Sequence, residues 1–105
     1  MGKKIKEIIW TAPAKHDLQT IYDYYFEAAS WRTAENIING VLDKIEILSQ
    51  HSEIGQREIL LMYKTESYHY LVQGNYKVIY RVKEEAIIID AIFDCRQNPV
   101  KMGNL

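Results

Sequence analysis

The stretch QGNYKVIYRV, residues 73–82, alternates almost without error. Successive side chains of an extended chain point to opposite faces. Tyr76, Val78, Tyr80 and Val82 therefore share one side, and Lys77, Ile79 and Arg81 share the other. The first side is a core face. The second carries two cations around an isoleucine, where a solvated sheet would carry plain polar residues.

The flanking residues extend this strand into a sheet. Gly74-Asn75 suits a two-residue hairpin turn, with SYHYLV (67–72) as the strand before it. Glu84-Glu85 is the next turn, followed by AIIIDAIF (86–93). These turns predict a register in which Val82 opposes Ile87, Tyr80 opposes Ile89, Val78 opposes Ala91 and Tyr76 opposes Phe93. Opposed residues share a face, and every member of this set is apolar or aromatic. The other face then holds Lys77, Ile79, Arg81, Ile88, Asp90 and Ile92, joined by Tyr68, Tyr70 and Val72. Monomers rarely leave an apolar patch of that size bare. A cover is expected there, whether a partner chain, a substrate or a second copy. Tyr68, Tyr70, Lys77, Ile79, Arg81, Asp90 and Ile92 are the candidate partner-binding residues. On this register Tyr80→Ala costs about 3 kcal/mol or more, because a large core aromatic leaves a cavity. Lys77→Ala, facing outward, is expected to cost little.

Upstream the period changes from 2 to 3.6. KIKEIIW (4–10) predicts a first strand, and Thr11 is placed to cap a helix whose first turn tolerates Pro13. Leu18, Ile21, Tyr22 and Tyr25 form its apolar stripe. AAS (28–30) breaks this helix, and Ser30 caps a second. Trp31, Ala34, Ile37, Ile38, Val41, Leu42, Ile45 and Leu48 keep a helical period there, the strongest in the chain. HSEIG (51–55) is a loop, and REILLMY (57–63) predicts a further strand. The tail RQNPVKMGNL is polar, carries Pro99 and leaves the sheet. The fold class is therefore α+β, with an antiparallel helical hairpin packed on one face of a mainly antiparallel sheet.

With 105 residues, one domain spanning 1–105 is expected. Apolar residues make up 48% and charged residues 26%, a globular balance. Eight tyrosines against two phenylalanines suit half-buried faces, where one end packs and the other hydrogen-bonds. A net charge of −1 lacks the basic excess of a dedicated nucleic-acid binder. One cysteine, Cys95, excludes an internal disulfide. Arg96 could activate its thiol, but a small buried residue is the favoured reading. No segment is long and apolar enough for a membrane span, and MGKKIKEIIW lacks a signal-peptide core. A soluble cytoplasmic protein is expected.

Most catalytic templates are missing. The chain has no Gly-rich phosphate loop, and its three histidines, His16, His51 and His69, lack metal-ligand spacing. No metal and no cofactor are expected.

Four phrases in order carry a resemblance: AKHDLQTIYDYY, ILSQHSEIG, YLVQGNYKVIYRV and IIIDAIFDCRQNP. Together they resemble the RelE/ParE superfamily of bacterial toxins over residues 10–99. The resemblance implies the toxin of a type II toxin–antitoxin pair, held inactive by a cognate antitoxin that wraps it with an extended or helical segment. RelE-like members cleave messenger RNA on the ribosome. ParE-like members are regarded as poisons of DNA gyrase and lack the catalytic set. Lys77 and Arg96 fall where RelE-like toxins carry arginines, and with Arg81 they are the candidate catalytic cations. The tail QNPVKMGNL lacks the tyrosine or His-Tyr pair of those nucleases. Cleavage by 2′-hydroxyl attack needs a base and an acid as well as charge stabilisation. The ParE-like, non-nucleolytic reading is favoured, and a ribosome-dependent endoribonuclease is the alternative. A non-toxic antitoxin-binding relative and an unrelated α+β dimer domain remain open.

Overall fold

The structure, a computed structural model, describes residues 5–97 and 99–104. Lys4, the expected start of the first strand, and both ends of the expected 1–105 domain lie outside them. The elements run β1 (Glu7–Trp10), α1 (Ala12–Ala28), α2 (Trp31–Gln50), β2 (Gln56–Arg57), β3 (His69–Gln73), β4 (Tyr76–Val82) and β5 (Ala86–Asp94). Short 3-10 turns occupy Ile59–Leu61 and Pro99–Asn104. The strands form one sheet in the order β1-β5-β4-β3-β2, antiparallel except for the β1–β5 pair.

The helix starts follow from their caps. The Thr11 side chain accepts from the Ala14 N–H at 3.3 Å, and Ser30 accepts from Thr33 at 3.1 Å. The α1 and α2 hairpin presses Ala14, Ile21, Val41, Ile45 and Leu48 onto Tyr76, Val78, Tyr80, Ile87, Ile89 and Ile92. Each fully buried aliphatic side chain in that layer contributes about 1.5–3 kcal/mol. The α2 stripe is wider than its contact: Trp31 and Leu42 stay exposed.

Gly74, at φ +60, makes the two-residue turn that pairs Gln73 with Tyr76. Beyond the second turn the expected register holds for Val82 with Ile87 and Tyr80 with Ile89, then shifts. A bulge leaves Asp90 unpaired, so Val78 opposes Ile92 rather than Ala91, and Tyr76 opposes Asp94 rather than Phe93. The extra residue exchanges the faces beyond it. Ile92, expected on the second face, joins the helix-covered core. Ala91 and Phe93, expected under the helices, join Ile79 on the other side.

That second face carries its own cover. Leu61, from the first 3-10 turn, and Met102, from the C-terminal one, close over Ile79 and Ala91, flanked by Tyr68, Tyr70 and Phe93. Of the stretch expected as strand 57–63 only Arg57 pairs in the sheet, with Gln56 before it, and the chain then turns at Glu58. Four consecutive apolar residues, Ile59 to Met62, do not alternate, and only Leu61 is buried. The tail does leave the sheet, as expected, but folds back to bury Met102. Ile79 is therefore core, with no surface for a partner. Cys95, expected buried, is exposed.

Candidate functional site

The two cations of the opening stretch are both held by carboxylates of the same chain. Lys77 Nζ lies 2.8 Å from Glu58 Oε2, and over the Tyr70 ring at 4.3 Å. Glu58 is almost wholly buried, its side chain 1% exposed, and its Oε1 accepts from the Leu60 N–H at 3.1 Å. One carboxylate thus caps the 3-10 turn and neutralises the strand's lysine. Lys77 does not point freely outward, so its removal is expected to cost more than that of a solvated lysine. An outward-facing position was legible in the sequence, but its buried partner was not.

Arg81 forks onto Asp90, with Nε at 2.8 Å and Nη2 at 2.9 Å, a bidentate charge-assisted pair. Asp90 is the inserted residue, and it keeps the Arg81 side that the regular register also gives it. The hydrogen bonds from Arg81 to Asp90 raise the guanidinium's pKa and keep it charged. Tyr68 lies beneath Arg81, 5.8 Å from ring centroid to guanidinium, and Glu66 approaches it at 3.6 Å.

Arg96 lies elsewhere. It chelates Asp94 through Nε at 2.9 Å and Nη2 at 2.8 Å, and its Nη2 donates to the Tyr25 hydroxyl at 3.5 Å. Tyr76 Oη donates to Tyr25 Oη at 3.3 Å. Those bonds, Tyr76 first and Arg96 second, lower the Tyr25 pKa. Burial raises that of Tyr76. The Asp94 carboxyl is held below its ordinary value by Arg96. Tyr25 and Tyr76 belong to the helix side of the sheet, whereas Lys77 and Arg81 belong to the covered side. The structure brings Lys77, Arg81, Tyr68, Tyr70 and Asp90 together, and keeps Arg96 and Ile92 apart from them.

Glu58 and Asp17 escaped the sequence reading, and Tyr25 was read only as part of the apolar stripe of α1. Asp17, on α1, reaches across to β5 and accepts the Ile92 N–H at 3.0 Å. Burial raises its pKa, opposed by that N–H and by His16. The signal available was the Asp of AKHDL, sitting off the apolar stripe. Beside it a groove of about 580 Å³ runs between α1 and the end of β5, lined among others by Ile21, Tyr24, Tyr76, Phe93, Arg96 and Lys101. No group of three or more His, Cys, Asp or Glu gathers as a metal site among the described residues. No helix among them is long and apolar enough to cross a membrane.

A helical hairpin packed on one face of a five-stranded, mostly antiparallel sheet is the α+β arrangement that the RelE/ParE resemblance implies. Residues 8–99 match the family described as the ParE toxin of the type II toxin–antitoxin system, parDE, and the chain belongs to that family. Membership implies an antitoxin partner. A solved structure titled "Chromosomal ParDE TA system from P. aeruginosa" shares the fold. Its TM-score is 0.71 at 22% identity, covering 86% of this chain and 96% of that one. No curated protein matches.

Proposed function

We propose that the chain is a cytoplasmic ParE-like toxin that acts without cutting RNA, by holding a protein target, and that a cognate antitoxin neutralises it. DNA gyrase is the target favoured by the family reading. One observation carries this: each candidate cation is already held by a carboxylate of its own chain. Lys77 is held by Glu58, Arg81 by Asp90 and Arg96 by Asp94. Stabilising a phosphorane requires preorganised donors aimed where its charge develops. A scissile phosphate here would have to displace three ion pairs on two sides of a sheet.

The RelE-like alternative has one observation in its favour. Tyr25, its phenol pKa lowered, stands 3.5 Å from Arg96 and could exchange a proton beside a cation. The test is primer extension on a translated message with purified toxin, run beside a gyrase supercoiling assay. The expected result is an uncut message and inhibited supercoiling. Codon-phased cuts lost in Arg96→Ala and Tyr25→Phe would overturn the proposal and make Arg96 a catalytic residue.

A further inference from the structure

We infer that the exposed flank of the turn 58–64 is the surface by which the toxin holds its protein target, and that the target offers there an apolar cleft with an acidic rim. The inference rests on the protein-target reading above and adds which surface is used and what fits it.

The turn has a period of three. The Leu61 N–H donates to the Glu58 carbonyl at 3.1 Å, that of Met62 to Ile59 at 3.2 Å and that of Lys64 to Leu61 at 3.1 Å. With three residues per turn, side chains at i and i+3 eclipse. One row, Glu58, Leu61 and Lys64, faces the sheet. Glu58 and Leu61 are buried there, and Lys64 is half-buried. The other two rows, Ile59 with Met62 and Leu60 with Tyr63, stand between 45% and 70% exposed. Every side chain that the turn sends outward is therefore large and apolar. Leu61 alone anchors the turn on Ile79 and Ala91, so the packing of the fold does not account for the other four. Single exposed apolar residues are ordinary, but a contiguous group marks a contact surface. The turn is also held in place, by Glu58 on Lys77 at one end and by the Tyr63 hydroxyl, which donates to the Gly103 carbonyl at 3.4 Å, at the other. A surface ordered in advance loses little freedom on binding.

The charges of this segment are one-sided. Residues 56–64 carry two cations and one acid. Arg57 is exposed, and Lys64 lies over the Tyr63 ring at 5.7 Å. The acid is Glu58, buried and already bonded to Lys77. The flank is thus locally positive, on a chain whose net charge is −1. Complementarity calls for acidic residues around the partner's cleft. Tyrosine and methionine, both present here, are enriched at protein interfaces. A second copy fits less well, because a two-fold contact of this patch with itself brings its cations against their own copies. Anionic lipid fits less well too, since it draws clusters of about four to eight cations and this segment has two.

The experiment induces the full chain and its variants in cells and reads growth arrest, with gyrase supercoiling and antitoxin titration on the purified proteins. Ile59→Ser combined with Met62→Ser should lower toxic potency at least about tenfold, as truncation of interface anchors does. Its melting temperature and antitoxin affinity should stay unchanged. Lys64→Glu should weaken potency by about tenfold too, by setting a carboxylate against the acidic rim. Full potency in either variant would overturn the inference and leave the protein-target reading standing. So would weakened antitoxin binding in the serine variant, which would make the turn the antitoxin's seat. A dimer of the unaltered chain, or its sedimentation with anionic vesicles, that the serine variant abolishes would likewise overturn it. Should the double variant melt early, Ile59→Ser alone decides. Arrest that the variants lose, beside supercoiling that the unaltered chain leaves untouched, would support the inference and remove gyrase as the target. Codon-phased cuts in a message, or no arrest by the unaltered chain, would overturn both readings.

Discussion

Replacing Lys77 by Met is expected to destabilise the protein strongly, although Lys77 lies on a face that the sequence marks as outward. The reason is Glu58. Its carboxylate is 1% exposed and has two described partners, Lys77 Nζ at 2.8 Å and the Leu60 N–H at 3.1 Å. Removing one member of a buried pair typically costs about 3–5 kcal/mol, because the other charge is left uncompensated. Lys77 is itself 21% exposed. Water can reach the vacated position, so the lower end, about 3 kcal/mol, is expected. For a chain of this size each kcal/mol shifts the melting temperature by roughly 4–8 °C, giving a drop of about 12–24 °C. Glu58→Gln in the same background removes the orphaned charge while keeping an acceptor for Leu60. The double variant should recover more than half of the loss, as buried pairs replaced together are often near neutral. Urea and thermal unfolding of wild type, both single variants and the double variant complete the cycle. Additive losses, or a Lys77→Met melt within about 2 °C of wild type, would refute the view that this pair is buried and coupled.

Gly55→Ala is expected to destabilise by about 2–3 kcal/mol, since overpacking of this kind forces rotamer and backbone shifts. A Cβ there would stand 1.7 Å from Tyr80 Oη and 2.9 Å from the Tyr70 carbonyl. Tyr80→Phe should rescue only part of the loss, and denaturation midpoints measure both. Asp17 is raised above its ordinary value by burial, so its ionisation opposes folding. Stability present below the ordinary carboxyl pKa is lost as pH rises through the folded one. Asp17→Asn should therefore melt at or above wild type at pH 7, and the gap should close towards pH 4, about the ordinary carboxyl pKa. A gap that widens on acidification would show the sign to be wrong. Saturating antitoxin at a thousandfold excess over Kd should stabilise the toxin by about 4 kcal/mol. A calorimetric melt that antitoxin does not move would contradict it.

The helices and hairpin turns were legible because their signals are local. Caps at Thr11 and Ser30, the stripe from Ala34 to Leu48, and a positive-φ glycine at position 74 act within a few residues of themselves. The face assignment of β5 failed beyond Ile89 because it depends on one inserted residue. Alternation alone cannot reveal a bulge in AIIIDAIF, whose isoleucines suit either face. The second cover failed for a related reason. Leu61 and Met102 come from segments without period, and their burial is set by contacts across the sheet rather than by neighbours in sequence. The candidate cations were visible as residue types; Asp94 stands two residues from Arg96, whereas the neutralisation of Lys77 by Glu58 and of Arg81 by Asp90 required the tertiary structure. For Lys77 that partner lies 19 residues away.

The bulge joins these points into one consequence. With Asp90 inserted, Ile89 and Ile92 both reach the helix layer, and β5 keeps an apolar side chain under α1 on either side of the irregularity. The same insertion turns the Ile92 N–H outward to Asp17, and leaves the Asp90 carboxylate on the Arg81 side. Deleting Asp90 should therefore remove the irregularity without moving the core. The ladder would run regularly from Tyr80–Ile89 to Ile79–Ala91 and Val78–Ile92, so Ala91, Ile92 and Phe93 keep their faces. What is lost is the carboxylate fork on Arg81 and the carbonyl that accepts from the Thr11 hydroxyl. Hydrogen bonds to charged groups contribute about 1.5–3 kcal/mol each, so the deletion is expected to fold with a clear loss. Asp90→Asn, which keeps the insertion and one hydrogen bond to Arg81, should lose less. Were the deletion to unfold the chain outright while Asp90→Asn melts near wild type by urea midpoint, the insertion itself would be shown to set the core.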